Sequence, residues 1–134
     1  LWTERVYLAL PQDHRLAGHE VVRWDEVRLD RFIVSTIGPG PEIHEYLMKR
    51  LSDVGFRPNI KSHRVARDNL ISMVGKGFGL TVTTEATLGT RFPGVVLRPF
   101  DGESEIIPFS AVWNPRNANS VLNRFLNFAR AASL

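Results

Sequence analysis

The chain has 134 residues, is 43% hydrophobic and 23% charged, and carries a formal net charge of +3 with no cysteine, which gives a pI near 9.8. That size and apolar content suffice for one cored domain, or one and a fraction, while the lack of cysteine excludes disulfides and thiolate chemistry. No apolar run approaches the ~18 residues of a membrane span, Leu1-Trp2-Thr3-Glu4-Arg5 lacks the regions of a signal peptide, and acids alternate with bases, as in Arg23-Trp24-Asp25-Glu26-Val27-Arg28, so the expectation is a soluble cytoplasmic protein with a mixed surface and no nucleic-acid patch of its own.

Val6 to Leu10 reads as a short apolar strand stopped by Pro11, followed by a turn over residues 12–18. Trp24-Asp25-Glu26-Val27 suits a single helical turn ahead of the apolar run Phe32-Ile33-Val34. A loop of small residues, Ser35-Thr36-Ile37-Gly38-Pro39-Gly40, leads to Pro41 at a helix start. Ile43, Tyr46, Leu47, Leu51 and Val54 then recur at helical intervals until Gly55. Ile60 to Val65 reads as a strand. Asp68 is placed to cap a helix bearing Leu70, Ile71, Met73 and Val74, broken by Gly75, Gly77 and Gly79, with Leu80-Thr81-Val82-Thr83-Thr84 as a β-branched strand beyond. Two further strands, Val95 to Phe100 and Glu105 to Trp113, precede a last amphipathic helix marked by Val121, Leu122, Phe125, Leu126 and Ala129 and capped among Asn117, Asn119 and Ser120. Alternating strands and helices predict an α/β, Rossmann-like arrangement, mostly parallel, with crossover helices.

No catalytic constellation emerges. His14 and His19 lie in a turn, His44 beside an apolar stripe and His63 in a strand, with no metal-ligand spacing among them. No glycine-flanked serine follows a strand in the nucleophile-elbow pattern. Gly75-Lys76-Gly77-Phe78-Gly79 joins a helix to a strand, the reverse of a phosphate-binding loop, so no nucleotide cofactor is implied. Hydroxyl residues do recur where strands end: Ser35 and Thr36 follow one strand and precede a helix, and Thr83 and Thr84 finish another strand. Hydroxyls beside helix N-termini suit a carboxylate or similar anion, and Arg67 would add positive charge if it turned inward. The competing reading is that these residues only cap and turn.

The order of these features resembles the effector-binding region of LysR-type transcriptional regulators. The resemblance rests on Val6-Tyr7-Leu8-Ala9-Leu10-Pro11 followed by His14-Arg15-Leu16-Ala17, on Phe32-Ile33, on Val54-Gly55-Phe56-Arg57-Pro58, and above all on Leu70 through Gly79. Val95-Val96-Leu97-Arg98-Pro99-Phe100 and the Phe125-Leu126-Asn127-Phe128 helix extend it over nearly the whole chain. Arg15 and Thr84 stand where that family commonly has proline, and Ala66 where a capping serine or threonine is common.

The resemblance implies a periplasmic-binding-protein-like (type II) fold of two α/β subdomains joined by two crossing strands, with a small effector in the cleft between them. On that mapping residues 6–10 and 108–113 are the crossing strands, 11–107 the second subdomain and 114–134 the C-terminal helix of the first. The expected function is effector sensing without catalysis or cofactor, in a fragment whose N-terminal winged helix-turn-helix is absent. The implied partners are DNA through that absent domain, a homodimer or homotetramer, and no membrane. Ser35, Thr36, Arg67, Thr83 and Thr84 are the candidate effector contacts. The alternative is a periplasmic solute-binding protein of a transporter.

Overall fold

A continuous ten-residue strand, β1 (Trp2–Pro11), organises the molecule. The computed structural model describes residues 1–52, 56–102 and 105–132. After β1 come α1 (Trp24–Val27), β2 (Arg31–Ser35), α2 (Gly40–Leu51), β3 (Asn59–His63), α3 (Arg67–Gly75), β4 (Thr81–Thr84), a 3-10 turn at Glu85–Thr87, β5 (Val95–Pro99), β6 (Ile106–Phe109) and α4 (Ser120–Ala132). Val54 and Gly55, expected to finish the second helix, lie outside the described residues.

The sheet is mixed, not mostly parallel. β2 and β3 pair in parallel, Phe32 bridges Leu80 in parallel, and the strands β2, β3 and β4 are joined in sequence by the helices α2 and α3. β1, however, runs antiparallel to each of its partners β4, β5 and β6. Crossover helices force parallel neighbours, whereas β1 enters against them and needs no crossover. Its first half also departs from expectation: Trp2 to Arg5 is strand, laddered to Phe109 through Ile106, and only the second half meets β4 and β5.

Alternation along β1 divides the core. Val6, Leu8 and Leu10 join Phe32, Val34, Leu80, Val82 and Phe100 on the face covered by Val27 of α1 and by Leu47 and Leu51 of α2. Ala9 and Ile33 point the other way, against Leu70 and Val74 of α3. Asp68 does not cap α3. Ala66 is the extended N-cap residue, with φ −68° and ψ 161° and no side-chain cap, and Asp68 sits in the first turn, where its charge complements the helix dipole. At α4 the expected cap is present, with the Asn119 side-chain oxygen accepting the Val121 amide at 2.9 Å.

Two local devices position the loops. The start of α2 lies so close to the end of β2 that a Cβ on Gly40 would fall 1.8 Å from the Ser35 carbonyl oxygen. In the turn after β1, Arg15 and His14 converge on Asp30, at 2.9 and 3.3 Å, which gives a structural reason for an arginine at that position. Burial alone would raise the Asp30 carboxyl, but hydrogen bonds from Arg15 and His14 outweigh it and hold the group below its ordinary value.

Gly40→Ala is expected to cost about 3 kcal/mol by overpacking against the β2 carbonyl, whereas Gly18→Ala, with nothing within 4 Å of the added carbon, should be near neutral in the same urea titration. A depressed carboxyl contributes stability above the unfolded value and loses it as pH falls through the folded one. Asp30→Asn should therefore be less stable than the parent at pH ~7, with the gap closing below roughly pH 4.

Candidate functional site

Parallel strands joined by helices bring consecutive helix starts to one edge of the sheet. β2 delivers the chain to α2 there, and β3 delivers it to α3. Ser35 and Thr36 sew the two turns together. The Ser35 hydroxyl donates to the Val65 carbonyl at 2.6 Å, lies 3.1 Å from the Ile37 carbonyl and accepts the Ile37 amide at 3.0 Å. The Thr36 amide donates to the His63 carbonyl at 3.0 Å. Neither Pro39 nor Ala66, the two N-cap residues, supplies a side-chain cap. Two helix starts without side-chain caps thus sit side by side, and amides of this kind accept an anion readily.

The five sequence-derived candidates do not act alike in this arrangement. Thr36 is exposed beside the α2 start. Ser35 is buried and its hydroxyl is engaged as described, so it shapes the edge. Arg67 is exposed and points along the surface to Asp68, Nε to Oδ1 3.0 Å, which leaves the pair neutral at the α3 start. Thr83 shares a 2.6 Å hydrogen bond with the buried Thr87 hydroxyl. Thr84 faces Glu4. Hydrogen bonding by Thr84, Trp2 and the Ala86 backbone holds the Glu4 carboxyl below its ordinary value.

Register relates the strand tips. The Phe32–Leu80 bridge sets β2 and β4 parallel where β4 begins. Alternation sends Ser35, like Ile33, and Thr83, like Thr81, to the α3 face, and Thr84 to the opposite face with Val82. Neither of two surface concavities, each about 400 Å³, is lined by any of the five. One lies between Gln12 and residues 88–97, and the other between residues 110–113 and α4. Among the described residues no cluster of three or more His, Asp or Glu is placed to hold a metal, and no helix is long and apolar enough to cross a membrane.

A second polar cluster joins residues far apart in the sequence. Glu105 is 4% exposed; its carboxylate accepts the Tyr46 hydroxyl and lies 3.2 Å from Arg50. Burial and the Glu105 carboxylate push the Tyr46 hydroxyl above its ordinary value, so it remains a donor. Tyr46 and Arg50 are four apart on α2, a spacing that places them on one helix face. That spacing, with an acid heading the apolar run Glu105-Ile106-Ile107, is the signal the sequence offered.

The LysR substrate binding domain model matches residues 1–133. The HTH-type transcriptional regulator TtuA of Agrobacterium vitis is 28% identical over 117 residues, covering 84% of this chain and 38% of the regulator. ShiR of Corynebacterium glutamicum, also an HTH-type transcriptional regulator, is 27% identical over 82% of this chain and 37% of its own length. The chain therefore spans a little over a third of these relatives, which are transcriptional regulators and not transport proteins. In fold, it superposes on CbnR, a LysR family transcriptional regulator, with a TM-score of 0.81 at 15% identity, over 99% of this chain and 46% of CbnR. The effector-binding domain of BenM, solved with its effector benzoate, gives 0.66 at 19% identity over 78% of this chain and 48% of that domain.

Ser35→Ala should destabilise the chain by about 1–2 kcal/mol, because the half-buried Val65 carbonyl loses its donor. Thr36→Val, at an exposed hydroxyl, should shift stability by less than about 0.5 kcal/mol. Paired urea denaturation curves measure both.

Proposed function

Since the chain belongs to the LysR substrate binding domain family, we propose that it is the effector-sensing part of a LysR-type DNA-binding transcriptional regulator, and that a small anionic effector binds where α2 and α3 begin. The observation that carries this reading is the stitch made by Ser35 and Thr36, which holds two helix starts without side-chain caps at one sheet edge. An effector carboxylate there would accept helix amides and the Thr36 hydroxyl, with no catalysis and no cofactor. Arg67 contributes weakly, since Asp68 already pairs with it. Thr83, Thr84 and Ser35 keep their place in the proposal as walls of the strand tips, with hydroxyls already committed inside the chain.

In this reading the cleft lies between this α/β layer and the rest of a first subdomain, and residues 6–10 of β1 and residues 108–113, which begin in β6, cross between the two. α4 would belong to that first subdomain and residues 11–107 to the second. Binding would favour one relative arrangement of the subdomains and so re-aim the DNA-binding winged helix-turn-helix domains of a homodimer or homotetramer. The benzoate held by the BenM domain makes aromatic and short-chain acids the first effectors to try.

Calorimetric titration of the full-length protein with such a panel tests the site. For an acid that binds, Thr36→Val should weaken affinity about tenfold or more, the loss of one hydrogen bond to a charged group. Arg67→Gln should weaken it about twofold, as an exposed pair does. An unchanged affinity in Thr36→Val would remove the helix-start site.

A further inference from the structure

We infer that Glu105 is a positioning residue through which α2 holds the junction where β1 changes partners. β1 is laddered to β6 by Trp2 to Arg5 and to β4 from Val6 onward. At the change of partner, the Val6 amide donates to the Glu105 carbonyl at 2.8 Å. The next residue, Ile106, opens β6 and pairs with Arg5. The main chain of Glu105 therefore belongs to the junction. Its side chain belongs to α2: Tyr46 donates to one carboxylate oxygen and Arg50 reaches the other at 3.2 Å.

Both donors come from one helix face, and that helix begins at Gly40, against the β2 carbonyl. A 12-residue helix moves as a rod, so a shift at its start reaches Tyr46 and Arg50. The aromatic packing leaves little slack along the way. Trp24 meets Tyr46 edge-on at 5.9 Å and stacks on Phe100 at 3.9 Å, and the Phe100 carbonyl accepts Arg5 at 2.9 Å. The chain of contacts from the α2 start to the β1–β6 junction passes through two directional bonds to one buried carboxylate. The use of this coupling for sensing rests on the effector reading of the α2 start; the contacts themselves do not.

Amide hydrogen exchange on the full-length protein tests the coupling. Tyr46→Phe and Glu105→Gln each retain the side chain's shape while changing its hydrogen bonding, so both variants are expected to fold. Each should lower protection at Val6, Ile107 and Phe109 about tenfold, with the double variant no lower than Glu105→Gln alone, because the Tyr46 hydroxyl acts only through the Glu105 carboxylate, which Arg50 also holds. β2 and β3 amides should keep their protection. Unchanged junction amides in either single, additive losses in the double, or an equal loss across β2 and β3 would each overturn the assignment. Loss of the Thr36→Val effect on carboxylate binding would remove the effector site and leave this exchange pattern standing.

Discussion

Everything in this fold depends on one strand that changes partners midway without changing direction. Up to Arg5, β1 is held by β6; beyond it, β4 lies on one side and β5 on the other. Val6, Leu8, Leu10 and Ala9 are all fully buried, and each large member contributes about 1.5–3 kcal/mol of apolar burial. Because successive side chains alternate, a slip of one residue would turn the Val6–Leu8–Leu10 stripe from the α1/α2 face to the α3 face. The two faces are filled differently: one packs Phe32 and Phe100 against the stripe, while the other packs Ala9 with Ile33, Leu70 and Val74. Register in β1 therefore fixes where β4 ends, and with it the position of Thr83 and Thr84.

The same strand explains why the two hydroxyl-bearing tips differ. At the end of β4, the Thr84 side chain and the turn after it meet a carboxylate the chain supplies itself, from Glu4 on β1. Among the described residues no acid meets the end of β2, which is flanked by β3 and by the bridge to Leu80. The turns there are satisfied by Ser35 and by backbone bonds, which consume the buried hydroxyl and leave the exposed Thr36 side chain outside the stitch. The two threonine tips thus differ: Thr84 meets a carboxylate of the chain itself, and Thr36 is exposed.

Local structure was largely legible from residues alone. Trp24 to Val27 forms the single helical turn that its composition indicates, Pro41 lies in the first turn of α2, and Asn119 caps α4. What escaped reading is non-local. Trp2-Thr3-Glu4-Arg5 has no apolar alternation to mark a strand, and its partner β6 is about a hundred residues away. Helical crossovers suggested parallel neighbours, and nothing local announces that β1 will enter against them. Asp68 has the better capping chemistry, but the extended backbone falls at Ala66, where the turn is already tied to Ser35 through the preceding carbonyl. The site divides likewise: Ser35 and Thr36 could be placed at a strand end from sequence, but the bond that distinguishes them spans thirty residues.

The acids at the junction complete the physical picture. Apolar contacts are strong but nondirectional, so a junction built from them alone would be stable without having a defined angle. Burying a carboxylate costs solvation, and a buried ion pair is a poor way to add stability. Glu4 and Glu105 nevertheless stand on or beside the strands β1 and β6, and each turns its side chain toward the layer formed by β2 to β5 and its helices. What such groups contribute is orientation. The Tyr46 hydroxyl and the Arg50 guanidinium approach Glu105 from one helix, and Arg5 reaches back from β1 to the Phe100 carbonyl. Apolar burial thus holds β1 in the sheet, while a small set of directional bonds determines the angle at which β1 and β6 leave it.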